Sequence, residues 1–184
     1  RGLQPDELFP ALKGVVAEVE GVLDARIALD WGGDRAFTAR ATAATAQLDF
    51  ATGLGPVERV SGAVEISDLL TLTSPPGQTL SIGRFNPGVP IEAGLFQFSL
   101  PGGPRVQIED ARWPFAGGLM VLKPDLWDIG APTQTLTMEL REVNLQRLVE
   151  LLRIPDLQTA GTVEGAFPVV VESGVARIEG GRLA

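Results

Sequence analysis

Val15-Val16-Ala17-Glu18-Val19-Glu20-Gly21-Val22-Leu23-Asp24-Ala25-Arg26-Ile27-Ala28-Leu29-Asp30-Trp31 decides the fold, because every odd position in it is non-polar and most even ones are charged. Alternation with a period of two describes a β-strand with one face buried and one wet. Seventeen such residues, at about 3.3 Å each, would reach roughly 55 Å, far beyond the usual strand of about 5–6 residues. A strand that long does not fit a compact sandwich unless it bends, and Gly21 is the natural place for a bulge. Gly32-Gly33-Asp34 then supplies hairpin residues that tolerate positive φ. The return strand runs from Arg35 to Phe50. In it Phe37, Ala39, Ala41 and Ala43 share one parity, while Ala44, Ala46, Leu48 and Phe50 share the other. That switch predicts a bulge near Ala43-Ala44.

The pattern continues outward from this hairpin. Before it, residues 1–13 read as a short helical lead-in, with Pro5 in a first turn and Asp6 and Glu7 at the positive end of the dipole. After it, strands are expected over Arg59–Ser67, Thr79–Phe85, Ile91–Leu100, Arg105–Trp113, Gly118–Leu122 and Thr133–Val143. Turn signals separate them, among them Ser74-Pro75-Pro76-Gly77, Pro101-Gly102-Gly103-Pro104 and Lys123-Pro124-Asp125. Asn144 is a good N-cap for a helix over 144–153, where Leu145, Leu148, Val149, Leu151 and Leu152 form an apolar stripe and Pro155 ends it. A last hairpin over 161–184 pairs Gly161–Val171 with Gly174–Leu183. The fold class expected is mainly β: a long, curved antiparallel meander over 14–143 with one or two short helices. The 184 residues read as a single β-rich fragment of a longer protein, since both ends look cut.

Composition narrows the chemistry. The chain has no His, no Cys and no Tyr, and its net charge is −8. It therefore offers no Ser-His triad, no Cys nucleophile and no thiolate or imidazole metal site. No metal or cofactor is expected, and no enzymatic activity. An acidic chain with two lysines is a poor binder of nucleic acid, which requires clustered cations. No run approaches the ~20 apolar residues of a membrane span. Asp125 and Asp128 flank Leu126-Trp127 without calcium-loop spacing, and read as a turn around a buried Trp127. Gly32-Gly33, Gly102-Gly103, Gly117-Gly118 and Gly180-Gly181 lack the context of phosphate loops and read as turns and bulges.

The candidate site is instead the apolar parity of the strands. Its residues are Val15, Val19, Leu23, Ile27, Leu29, Phe37, Phe96, Phe98, Leu136, Met138, Leu140, Val163, Phe167, Val169 and Val171. A sheet with one apolar face must cover it with helices, a second sheet or a ligand, and two short helices are too few. Either the sheet curls into a dry core, or it holds something greasy. The strand Val175–Leu183 is a candidate open edge, a template for strand addition, with Val175, Arg177, Ile178 and Leu183 as its residues.

The C-terminal half also carries an order of signals that resembles a known family. Asn86-Pro87-Gly88-Val89-Pro90-Ile91 leads into a strand, as does Trp113-Pro114-Phe115-Ala116-Gly117-Gly118. Leu136-Thr137-Met138-Glu139-Leu140 leads into the helix, and Gly161-Thr162-Val163-Glu164-Gly165-Ala166-Phe167-Pro168-Val169 precedes Val175-Ala176-Arg177-Ile178-Glu179-Gly180-Gly181-Arg182-Leu183. Over roughly residues 60–184 this is similar to the C-terminal domain of YdbH-type proteins of Gram-negative bacteria, within the AsmA-like group that includes TamB and YhdP. The resemblance implies a periplasmic bridge, anchored in the inner membrane, whose β-sheet groove carries phospholipid acyl chains to the outer membrane. It also implies a small outer-membrane lipoprotein that extends the sheet. The alternative is a structural module for outer-membrane assembly that binds a partner at its open edge. The dicarboxylate-transport label sometimes attached to this domain finds little support, since such a site needs converging cations and the arginines here are scattered.

Overall fold

A computed structural model describes residues 16–183 apart from Asp34, Gly53, Gly88, Gly130, Asp156, Ser173 and Gly174. The helical lead-in expected over 1–13, and Val15, lie outside the described residues. The elements are β1 (Val16–Gly21), β2 (Asp24–Gly32), β3 (Arg35–Thr52), β4 (Gly55–Ile66), β5 (Gln78–Phe85), β6 (Ile91–Ser99), β7 (Arg105–Phe115), β8 (Gly118–Leu122), β9 (Asp125–Asp128), β10 (Thr133–Asn144), α1 (Leu145–Leu151), β11 (Thr162–Glu172), β12 (Val175–Ile178) and β13 (Arg182–Leu183). All the strands belong to one antiparallel sheet of 13, ordered β1-β3-β4-β5-β6-β7-β8-β10-β11-β12, with β2 on β3, β9 on β7 and β13 on β11. The sheet is open: among the described residues no ladder joins its first strands to its last. Nearly every connection is to the next strand in sequence, the arrangement that short turns and alternating strands produce.

The opening run is not one strand. It divides at Val22-Leu23 into β1 and β2, which lie end to end along the 18-residue β3. The change of parity in β3 falls at a register shift between Thr45 and Leu48, two residues later than Ala43-Ala44. Asp125–Asp128 is strand β9, laid on β7 through Ile108↔Asp125 and Val106↔Trp127, rather than a turn. Its Trp127 is half-buried. The final hairpin is interrupted. Gly180 and Gly181 carry φ of 78° and 151° between β12 and β13, and a side chain at Gly181 would run into the Phe167 ring.

A line of kinks crosses the strands at one height. Glu18, Arg59, Ala93 and Glu142 are non-glycine residues with φ between 51° and 57°. Three of them sit at register shifts, in β1, β4 and β10. The pairing makes them neighbours. Glu20 lies opposite Asp49, and the Asp49 Oδ1 accepts from the Arg59 amide at 2.6 Å. The Arg59 guanidinium then donates to the Gly83 carbonyl on β5 at 3.0 Å. Ala93 lies between the pairs Arg84↔Glu92 and Ile82↔Gly94. The pairs Pro114↔Leu119 and Arg141↔Leu119 carry the line to Glu142. A bulge bends its strand and raises the local twist, so a row of them folds the sheet along a crease perpendicular to the strands.

Candidate functional site

Partners in an antiparallel ladder point to the same face, so the register sorts the side chains. Across six strands Phe167, Met138, Leu122, Ala111, Phe96 and Leu80 stand in one row. Beside it Gly165, Leu140, Met120 and Trp113 form a second row, and Leu48, Val60 and Ile82 a third on β3 to β5. Leu136↔Val169↔Ile178, Phe98↔Ile108 and Val143↔Val163 add to the same face. On β2 and β3 it continues through Ala25↔Ala43, Ile27↔Ala41 and Leu29↔Ala39. The opposite face carries Ser61, Ser81, Leu95, Arg112, Val121, Glu139, Ala166 and Arg182 in one row, mostly polar.

Burial along the apolar face is uneven. Ala111 and Val143 have 0% of their surface exposed, and Ile108 and Leu136 have 2%. Ile91, Ile108, Ala111, Trp113, Met120 and Leu136 form one cluster, with Phe85, Phe96, Trp127, Met138 and Leu140 half-buried around it. Among the described residues no second sheet lies over this face. The cluster is therefore covered by its own neighbours, as a bent sheet requires. Phe85 and Trp113 rings lie 6.2 Å apart and Phe96 and Phe98 rings 5.4 Å apart, an aromatic strip across β5 to β7 worth more than its area alone. The Trp113 ring packs over Gly94, where any Cβ would overlap it. At the β2–β3 end the same face is open: Ile27 is 64% exposed and Phe37 47%.

The proposed groove residues thus separate into three groups. Phe98, Leu136, Val163, Val169 and Val171 are buried, while Phe96, Met138, Leu140 and Phe167 are half-buried. Ile27, Leu29 and Phe37 lie exposed at one end, Leu23 is exposed in the β1–β2 joint, and Val19 is half-buried beside the Glu18 kink. At the other end Val175 and Arg177 pair with Glu172 and Val170 on the polar face, whereas Ile178 pairs with Val169 on the apolar one. Leu183 pairs with Gly165. The residues that sequence reading missed are Val57, Val60, Ile82, Phe85, Ile91, Ile108, Ala111, Trp113 and Met120. Val57 and Val60 are both buried though three apart, because the Arg59 kink breaks the alternation that would have exposed them to view.

Charge sits on the other face and in loops. Glu139 accepts from Lys123 at 2.7 Å and Arg141 at 2.8 Å, and these two cations hold its carboxyl below the usual carboxylate range. The Asp68 carboxyl is lowered by the Thr71 hydroxyl and the Leu70 amide in the turn after β4. Among the described residues no three His, Cys, Asp or Glu side chains converge as metal ligands would, and no helix is long and apolar enough to cross a membrane. Two open clefts lie off the apolar face, one beside α1 lined by Val149, Ile154 and Leu157, the other beside the β1–β2 joint at Val22.

An open antiparallel sheet with one apolar face matches what the C-terminal signals imply, and comparison extends the match upstream. Searches of curated proteins and of solved structures found nothing similar. The family described as YdbH-like, intermembrane phospholipid transport protein YdbH, matches residues 1–184, the first hairpin included. The chain belongs to the YdbH-like family of intermembrane phospholipid transport proteins.

Proposed function

We propose that the apolar face is a track on which phospholipid acyl chains travel between the inner and outer membranes, with no covalent chemistry. One observation carries the reading: from β2 to β12 the strands present mostly apolar side chains, with Thr45, Gln78 and several glycines among them, on a single face of a sheet over which no second layer lies among the described residues. Each methylene moved from water onto such a face gains about 0.8 kcal/mol, so acyl chains are held without polar contacts and slide without breaking any. The polar headgroup remains at the rim, in water. The segment works in the periplasm, within a protein anchored in the inner membrane. Photo-crosslinkers at Phe96 and Met138, with one at Arg112 on the polar face as control, test the track in a Gram-negative host. Lipid adducts are expected at the first two and not at the third. Equal labelling of all three, or adducts at none, would overturn the reading.

A second activity is compatible with the first. The outer side of β12 carries no ladder among the described residues, which favours strand addition there by a small outer-membrane lipoprotein. Ile178→Pro removes a backbone donor from that edge strand. It should abolish partner capture while lipid crosslinks at Phe96 persist; unchanged capture would remove the edge from consideration.

A further inference from the structure

The excursion between β10 and β11 holds a second apolar feature that the sheet does not use. α1 turns back sharply after Leu151: the Leu152, Arg153 and Ile154 amides donate to the carbonyls of Leu148, Glu150 and Val149 at 3.0–3.1 Å. Arg153 takes φ 54°, the left-handed position that closes helices. Val149 is buried beneath the turn, but Leu152 is 47%, Ile154 45% and Leu157 46% exposed, with Leu151 beside them. The excursion is tied at its base. Leu145 donates to the Gly161 carbonyl at 3.1 Å, and Asn144 to the Ala116 carbonyl at 3.0 Å. The Thr159 amide donates to Gln146 Oε1 at 3.1 Å. These aliphatic side chains are therefore presented on a braced loop.

We propose that this excursion docks on a phospholipid bilayer, its Leu151, Leu152, Ile154 and Leu157 entering the interface. The prongs are all aliphatic, and two features favour a lipid surface over a protein. Arg153 stands among them, and Arg147, whose guanidinium lies against Gly117, one turn before them; like Arg26, Arg40, Arg105 and Arg182 they form no ion pair among the described residues, and guanidiniums near an apolar tip suit headgroup phosphates. The excursion also continues the apolar face, since it departs from the Val143↔Val163 pair near the C-terminal end of the strand order. A lipid leaving the track there would meet the membrane the prongs touch. The inference rests on the track reading and names where the track meets a bilayer.

The chain lacks cysteine, so Leu152→Cys accepts a single environment-sensitive dye. On vesicles of phosphatidylethanolamine and phosphatidylglycerol its emission should shift to the blue. Leu152→Asp with Ile154→Asp, at positions exposed enough to leave the fold intact, should weaken vesicle binding by roughly tenfold or more, since two half-exposed aliphatic side chains no longer enter the interface. Arg147→Gln with Arg153→Gln should reduce the preference for vesicles containing phosphatidylglycerol. A dye that stays water-like on bound vesicles, or undiminished binding by the aspartate variant, overturns the proposal. Crosslinking at Met138 in the same variants separates the two readings: adducts there with no vesicle effect sink the docking site alone, and no adducts with a clear vesicle effect sink the track alone.

Discussion

Gly94→Ala examines how tightly the apolar face is packed around Trp113. The position is buried, with no positive φ, so the backbone accepts alanine without strain. Through the unfolded state the change should stabilise by about 0.4–1 kcal/mol. Against this, the added Cβ would overlap the indole Nε1 and Cδ1, with Cε2 at 2.9 Å. Trp113 cannot simply turn aside, because its ring is 6% exposed and packs near Phe85. Overpacking of this kind costs about 1–3 kcal/mol, so the net loss should be about 1–2 kcal/mol. The cost has one source, and that makes it removable. Trp113→Ala alone should cost about 3–5 kcal/mol; on that background Gly94→Ala should become neutral or stabilising, a coupling of about 2 kcal/mol. Urea unfolding followed by circular dichroism measures all four corners without relying on the tryptophan signal. An equal penalty with and without the indole would refute the argument and move the cost to the backbone. Trp113→Phe is a further check: the indole N–H is buried without a hydrogen-bond partner, so its removal should recover a desolvation cost of about 1–3 kcal/mol that offsets part of the lost volume.

Glu142→Gly should raise stability by up to about 1 kcal/mol, because a left-handed φ of 51° costs an L-residue about 1–2 kcal/mol and glycine returns part of that gain as entropy; a lower urea midpoint would contradict it. The Glu139 carboxyl is lowered in the fold, so its contribution is complete above the ordinary carboxylate range and fades as pH falls through the lowered value. Glu139→Gln should flatten that part of the acid stability profile, and an unchanged profile would show the Lys123–Arg141 bridge to be irrelevant to folding. Ile27→Glu with Leu29→Glu should change unfolding free energy by no more than about 0.5 kcal/mol per site, since both are more than half exposed, yet reduce lipid adducts at Phe37.

Much of the fold was legible because alternation and turn residues act locally. The glycine-rich and proline-rich turns marked most strand ends, and the apolar parity of β10 and β11 led to the face that Leu136, Met138 and Val169 occupy. What stayed hidden has a common cause. Wherever a residue adopts positive φ inside a strand, the parity slips: Val57 and Val60 flank Arg59, and Leu140 and Val143 flank Glu142. A period-two rule cannot follow a face across such a slip. β9 was missed for a different reason. Its four residues follow Lys123-Pro124, and only their register on β7 makes them a strand. Whether an apolar residue was buried or open was also unreadable, because Ile27 and Leu136 look alike in sequence but occupy an edge strand and a strand paired on both sides.

The line of kinks from Glu18 to Glu142 has an architectural meaning. In most β-proteins that enclose a space, size is set by strand number, because closing the sheet ties circumference to strand count. Here the kinks sit in β1, β4, β6 and β10, and the strands between them follow through their pairing, so the cross-section is decided by where a strand bends along its length and not by how many strands there are. Hairpins can then be added or lost at either end without changing the bore. Such a sheet can be lengthened to any gap it must span, at constant gauge, by repeating one local backbone error.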